Sequence, residues 1–181
     1  MKKMTNRAIQ AEKTKEDIYN AGIDLIRERG INEVNIADIV KKANVGIGTF
    51  YHHYESKMDL FMDLYRDADK MFRDEVREMV SGKKTEEAIS IFFKEYCKLV
   101  ARDGIEMIKK IFIPENHVFL SNPRPMYDLL LEIISEDQVD AKLCCDELFL
   151  VARGVVFDWA LHNGSYNLEQ KMQKMIFAFY K

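Results

Sequence analysis

Apolar residues recur along this chain at intervals of three and four, the period of helices that bury one face. Ile18, Ala21, Leu25 and Ile26 mark a first helix closed by Gly30. Ile36, Ile39, Val40 and Ala43 mark a second, much shorter one. Asn35 stands at its start, where its side chain can accept a bond from an unpaired backbone N–H, and Asp38 complements the positive end of the helix dipole. Asn44 tolerates left-handed backbone and ends that helix, and Val45 is expected to insert into the core and fix the turn. Gly46 then caps a third helix from Ile47 to Tyr54. Phe50 and Tyr54, four apart, share its buried face, which leaves Ile47, Thr49, Tyr51 and His52 on the other.

Ser56 with Asp59 three residues later forms a capping-box pattern ahead of a long helix. Phe61, Leu64, Tyr65, Ala68, Met71, Phe72, Val76 and Met79 carry that helix to Ser81-Gly82. Thr85 caps the next, with Ile89, Phe92, Phe93, Tyr96, Leu99 and Val100 on its apolar face. Gly104 breaks the pattern before Ile105 to Ile113, and Pro114 to Pro125 is the one long irregular segment, a type of loop that is often functional. Helices resume at Pro125 to Ser135, Lys142 to Asn163 and Leu168 to Tyr180, with Gly164 ending the penultimate one. The expected fold is all-α with about nine helices. Residues 1–57 form a three-helix DNA-reading domain with a basic leader, and residues 58–181 form a larger helical domain.

The pair of short helices joined by a tight turn is what major-groove insertion requires. Such a motif presents the N-terminal residues of its second helix to base edges, while hydroxyls and cations hold phosphates and fix register. The expected DNA-contacting set is Asn35, Gly46, Ile47, Gly48, Thr49, Tyr51, His52 and Lys57. Thr49 and Tyr51 are phosphate donors, Gly48 removes a side chain where backbone must approach the duplex, and Lys57 supplies a cation in the first turn of the next helix.

Ile36-Ala37-Asp38-Ile39, Ala43-Asn44-Val45, Gly48-Thr49-Phe50-Tyr51-His52-His53-Tyr54 and Lys57-Met58-Asp59-Leu60-Phe61 resemble the signature of TetR-family transcriptional regulators. The resemblance covers roughly the first third of the chain, with Ile18, Ala21, Leu25, Ile26 and Gly30 fitting the family's first helix. Beyond it, only length and helical layout agree. Asn35, Asn44 and Gly46 depart from the family's usual Thr, Gly and polar residue, but each can fill the same backbone role. Ala37 and Ile47 stand where a base-reading Arg, Lys or Gln is often found. Hydrogen-bond readout is therefore sparse, and thymine-methyl contact by Ile47 and DNA shape carry more weight.

The resemblance implies a homodimer built through the last two helices and a small-molecule inducer. Leu148 to Ala152, Val155 to Phe157 and Trp159 to Leu161 are apolar almost all the way round, so the penultimate helix needs two partners. Its own domain supplies one and a second copy the other. Phe149, Val156, Trp159, Met172, Ile176 and Phe179 are the candidate interface residues. Phe72, Phe92, Tyr96, Met107, Phe112, His117, Met126 and Trp159 are candidates for lining an apolar effector pocket, together with Met71, Phe93 and Phe119, and with Arg153 as a further polar anchor. Plain core is the alternative for each.

Charge fits this division. Through Lys57 the chain carries ten Lys and Arg against eight Asp and Glu, a net +2, and the remainder has 17 against 22, a net −5. Lys2, Lys3, Arg7, Lys13 and Lys15 form the basic leader, either a backbone-tracking arm or a solvated tail. No apolar run is long enough to span a bilayer and the N-terminus lacks a signal peptide's apolar segment, so the expected location is the cytoplasm. No cofactor or metal is expected. His52 and His53 diverge by about 100° on a helix and cannot grip one ion as i, i+4 ligands do. No Gly-rich phosphate loop or nucleophile elbow points to an enzyme. The leading reading is a homodimeric repressor released from a palindromic operator by a small molecule. The alternatives are a ligand-independent DNA-binding protein, a redox-sensing regulator acting through Cys144 and Cys145, and, last, an enzyme or oligomerisation module.

Overall fold

The computed structural model describes residues 5–30, 32–111 and 124–180, the side chains of Leu64, Lys110 and Ile111 apart. Lys2, Lys3, Phe112, His117 and Phe119, and nearly all of the expected irregular segment, lie outside the described residues. The described elements are α1 (Asn6–Arg29), α2 (Ile36–Lys42), α3 (Ile47–His53), α4 (Lys57–Met71), a π-turn (Phe72–Val76), α5 (Arg77–Val80), α6 (Thr85–Asp103), α7 (Ile105–Ile111), α8 (Pro125–Ile134), α9 (Ala141–Leu161) and α10 (Leu168–Phe179). No strand occurs among them, and the fold is all-α. No helix among the described residues is long and apolar enough to cross a membrane.

The chain divides into two compact units, Met1–Tyr65 and Arg66–Lys181. The division falls inside α4, eight residues beyond the 57/58 junction read from the sequence. Packing explains the shift. Leu60 and Phe61 are buried, and a Cβ placed on Gly22 of α1 would lie 2.7 Å from Leu60 Cδ2, so the first turns of α4 close the N-terminal core. Ile18, Leu25, Ile26, Val34, Ile39, Phe50 and Tyr54 fill the rest of it.

In the C-terminal unit, α6 is the central helix, packed by α5, the π-turn, α7, α8 and α10, while α9 lies on α7, α8 and α10. Its buried row of Ala88, Ile89, Phe92, Phe93, Tyr96, Cys97 and Val100 follows the helical period. Gln173 Nε2 donates to the Ser90 carbonyl at 2.8 Å and ties α10 to α6.

Two local expectations change. Thr85 is the first helical residue of α6, not its cap; Lys84 holds the cap position and no side chain bonds there. The long helix expected to end near Ser81 is interrupted by the π-turn, which inserts one extra residue per turn. The apolar face slips by that residue. Val80 rather than Met79 is therefore buried beyond Val76.

Gly164 illustrates how tightly α9 ends. Its backbone has φ +70°, its N–H donates to the Trp159 carbonyl at 2.9 Å, and an added Cβ would meet Ile105 Cδ1 at 2.6 Å and Trp159 Cζ2 at 3.3 Å. Gly164→Ala is expected to destabilise the C-terminal unit by about 2 to 4 kcal/mol, combining left-handed strain with overpacking. Denaturant unfolding checks it, and an unchanged midpoint would contradict the role given to this glycine.

Candidate nucleic-acid interface

The interface is assembled from the caps outward. Asn35 Oδ1 accepts the Asp38 N–H at 2.9 Å, as a capping Asn should, and Arg29 pairs with Asp38 at 3.2 Å. Its side-chain carbonyl therefore serves α2. Asn44 adopts φ +54° and makes the turn. Val45 is half-buried rather than inserted in the core; its N–H donates to the Val40 carbonyl at 3.0 Å, so a backbone bond shares the work of fixing the turn. Gly46 takes the N-cap position of α3 with extended backbone, and its carbonyl accepts the Thr49 N–H at 2.9 Å.

Helix α3 has two distinct sides. Phe50 and Tyr54 are buried, whereas Ile47 is 56% exposed, Tyr51 is 55% exposed, and Gly48 and His52 are also exposed. Thr49 is half-buried. The Tyr51 ring meets the Phe50 ring edge-on, with centroids 5.6 Å apart. That contact braces an exposed aromatic without burying it.

Lys57 has a task the sequence did not reveal. Its ammonium donates to the Val34 carbonyl at 2.7 Å, joining the start of α4 to the segment that enters α2. The capping box before it forms as read in its first bond, and only the return bond reaches one residue further back. Ser56 Oγ accepts the Asp59 N–H at 3.1 Å, while Asp59 Oδ2 accepts the N–H of Glu55 at 3.2 Å.

His53 is partly buried, and its pKa is lowered from the ordinary 6.5 by burial first, then by His52 and Lys15. The folded chain thus binds fewer protons than the unfolded one just below pH 6.5, and stability rises with pH through that window. The contribution present above the unfolded value should be lost as pH falls through the folded one. A His53→Gln variant should show a smaller drop in melting temperature than the parent on going from about pH 7.5 to about pH 5.5. Equal drops would contradict it.

Residues 18–64, from the second half of α1 into the first half of α4, match the model of the family described as bacterial regulatory proteins, tetR family. Over these residues the chain is similar to TetR-family regulators. It is 20% identical, over 83% of its length and 86% of the relative's, to the fatty acid metabolism regulator protein of Bacillus subtilis (strain 168). Its fold is shared with the Bacillus subtilis transcriptional regulator FadR in complex with stearoyl-CoA, at TM-score 0.73, 18% identity and coverage of 91% of this chain and 96% of that one. The Thermus thermophilus TetR-family repressor FadR in complex with lauroyl-CoA gives TM-score 0.67 at 20% identity, covering 92% and 93% of the two chains.

The residues read as pocket candidates all fall in the C-terminal unit. Phe72, Phe92, Tyr96, Met107 and Met126 are buried there. Phe72 and Phe92 meet edge-on at 4.8 Å, Phe93 lies 5.1 Å from Phe92, and Phe149 lies 6.0 Å from Phe92 and stacks on Tyr127 at 5.7 Å. Trp159 donates its indole N–H to the Tyr166 carbonyl at 3.1 Å near the end of α9. Phe112 and His117, also read as pocket residues, lie outside the described residues. Sequence reasoning missed the clasp between Asp69 and Arg124, whose Nε–Oδ2 and Nη2–Oδ1 distances are both 3.2 Å, with the Met126 N–H donating to Asp69 at 3.4 Å. Its partners are 55 residues apart, so no local pattern could have announced it.

The six residues read as interface candidates on α9 and α10 divide by exposure. Phe149, Val156, Trp159, Met172 and Ile176 are buried within their own unit, where α9, α10 and α6 meet, and are covered before any partner arrives. Of the six residues named, Phe179 is exposed, at 58%. What α9 does expose is a different row: Leu143, Leu150 at 64%, Phe157 at 48% and Leu161 at 63%, with Gly154 between them.

Two of the three cysteines have the character of core residues, and Cys144 is half-buried. Cys97 and Cys145 are buried, and burial pushes both thiols up to about 12; Cys144 is also raised, for the same reason. A thiol held protonated is a poor nucleophile and a poor redox sensor.

Proposed function

We propose that this chain is a homodimeric repressor whose two α3 helices enter successive major grooves about 34 to 36 Å apart on a palindromic operator. The observation that carries the reading is the two-sided character of α3, with Ile47, Gly48 and Tyr51 outward on a buried Phe50–Tyr54 spine. Thr49 and Tyr51 hold phosphates, Lys57 adds a cation while bracing Val34, and Ile47 meets a thymine methyl. Leu143, Leu150 and Phe157 are spaced by seven, as are Gly154 and Leu161, the repeat of a helix–helix seam, so the occupant of that row is the α9 of a second copy. The working place of such a protein is the cytoplasm, with the chromosome.

The effector is a long-chain acyl-CoA. Support comes from the two solved relatives that hold stearoyl-CoA and lauroyl-CoA in the same fold, and from the phenylalanine cluster and buried methionines of the C-terminal unit, side chains suited to accommodating an acyl chain. The ligand can release DNA only by binding the low-affinity state more tightly than the DNA-bound one. Selection of binding sites from random duplex should return a palindrome, and acyl-CoA, but neither free CoA nor free fatty acid, should dissociate the complex. Selection of no preferred sequence would sink the repressor reading. A specific complex that no acyl-CoA disturbs would instead favour a ligand-independent DNA-binding protein.

A further inference from the structure

Helix α3 is seven residues long and has no side-chain cap at its start, so its direction is imposed by its surroundings. Phe50 anchors its middle. Its C-terminal end is held by Tyr54, whose backbone is already extended and whose ring is buried. The Tyr54 hydroxyl donates to Asp63 Oδ2 on α4 at 2.9 Å. Lys15 of α1 reaches the same oxygen at 3.0 Å, and its ammonium lies 5.3 Å from the centre of the Tyr54 ring. Three elements of the N-terminal unit thus converge on one largely buried carboxylate.

Packing alone would be satisfied by phenylalanine at this position. The hydroxyl adds direction, because a charge-assisted bond from a rigid ring fixes the rotation of that ring and with it the end of the helix. Lys15 supplies the countercharge that makes a carboxylate tolerable there. None of the three side chains is among the exposed residues of α3 that face outward.

We propose that Asp63, acting through Tyr54 and Lys15, is a positioning residue for the recognition helix and sets how well the protein distinguishes its operator from other DNA. Phosphate contacts are left to other residues, so Asp63 governs discrimination and not the general attraction to a duplex. The inference rests on the DNA-binding reading above.

The test measures affinity of the full chain for its selected operator and for an unrelated duplex of equal length, over a range of salt. The variants are Asp63→Asn, Tyr54→Phe and the two combined, with thermal melting recorded for each. The parent should prefer the operator. Each variant should lose about tenfold or more of operator affinity while its affinity for the unrelated duplex and the slope of affinity against salt stay unchanged, since that slope counts neutralised phosphates. The double variant should be no worse than the poorer single one, because both remove one bond. Equal losses on both duplexes would show a merely structural role and overturn the proposal, as would full discrimination in the variants or additive losses. If Asp63→Asn does not fold, Tyr54→Phe decides alone, because it keeps the buried ring. A parent with no preference for any duplex would instead defeat the DNA-binding reading itself.

Discussion

Replacing Phe157 by glutamate is expected to leave a folded monomer that binds operator DNA at least about a hundredfold more weakly than the parent. Phe157 is exposed in its own chain, so the substitution costs the isolated unit little. In a dimer built on α9 the same position is central to the seam, and a carboxylate there must lose its hydration without a partner. Gly154, one turn earlier, supports this placement, because among the described residues nothing outside its own stretch of helix lies within 4 Å of where its Cβ would be. A glycine inside a helix costs about 1 kcal/mol relative to alanine. On the proposed seam its place leaves room for a second helix to come close. Trp159→Arg is the instructive contrast. Trp159 is buried and bonded to the Tyr166 carbonyl, so that variant should unfold the C-terminal unit rather than yield a soluble monomer. Sedimentation and melting of both variants separate the outcomes, and a Phe157→Glu protein that remains dimeric would refute the placement of the seam.

Gly48 supports the second large effect. It sits within α3, nothing among the described residues outside its own stretch of helix lies within 4 Å of where a Cβ would be, and it is not among the glycines with positive φ. Neither space nor backbone conformation inside the chain calls for glycine. Gly48→Leu should therefore fold, and should gain roughly 0.5 to 1 kcal/mol of stability from better helix propensity. It should nevertheless lose operator binding by about a hundredfold or more, since the side chain fills the gap through which backbone approaches the duplex. Operator binding by Gly48→Leu equal to the parent's would show that α3 does not dock on this side.

The local signals read true where short-range chemistry decides. Asn35 caps α2, Asn44 turns left-handed, and Phe50 and Tyr54 are buried together, because caps, left-handed residues and i, i+4 faces depend on a few neighbours. Features set by distant partners were not legible. The Lys57 bond to Val34, the Asp63 hub and the Asp69–Arg124 clasp each join positions that no window along the sequence connects. The π-turn defeated a face assignment by one residue and exchanged Met79 for Val80. Helix α9 shows a further reason. Being apolar all round, it pointed to two partners but not to which of its residues its own unit would cover. Only the packing of α10, α8 and α7 against it separates Phe149 and Val156, inside, from Leu150 and Phe157, outside.

The central claim is that two copies of α3 are held on one operator by the α9 row. The most direct measurement is the number of chains bound per operator, from sedimentation of the protein with its labelled, selected duplex, combined with a footprint of the protected bases. Two chains per operator, or pairs of them, with protected half-sites about 10 base pairs apart, is the result this account gives. One chain bound at full affinity to a single half-site would contradict it.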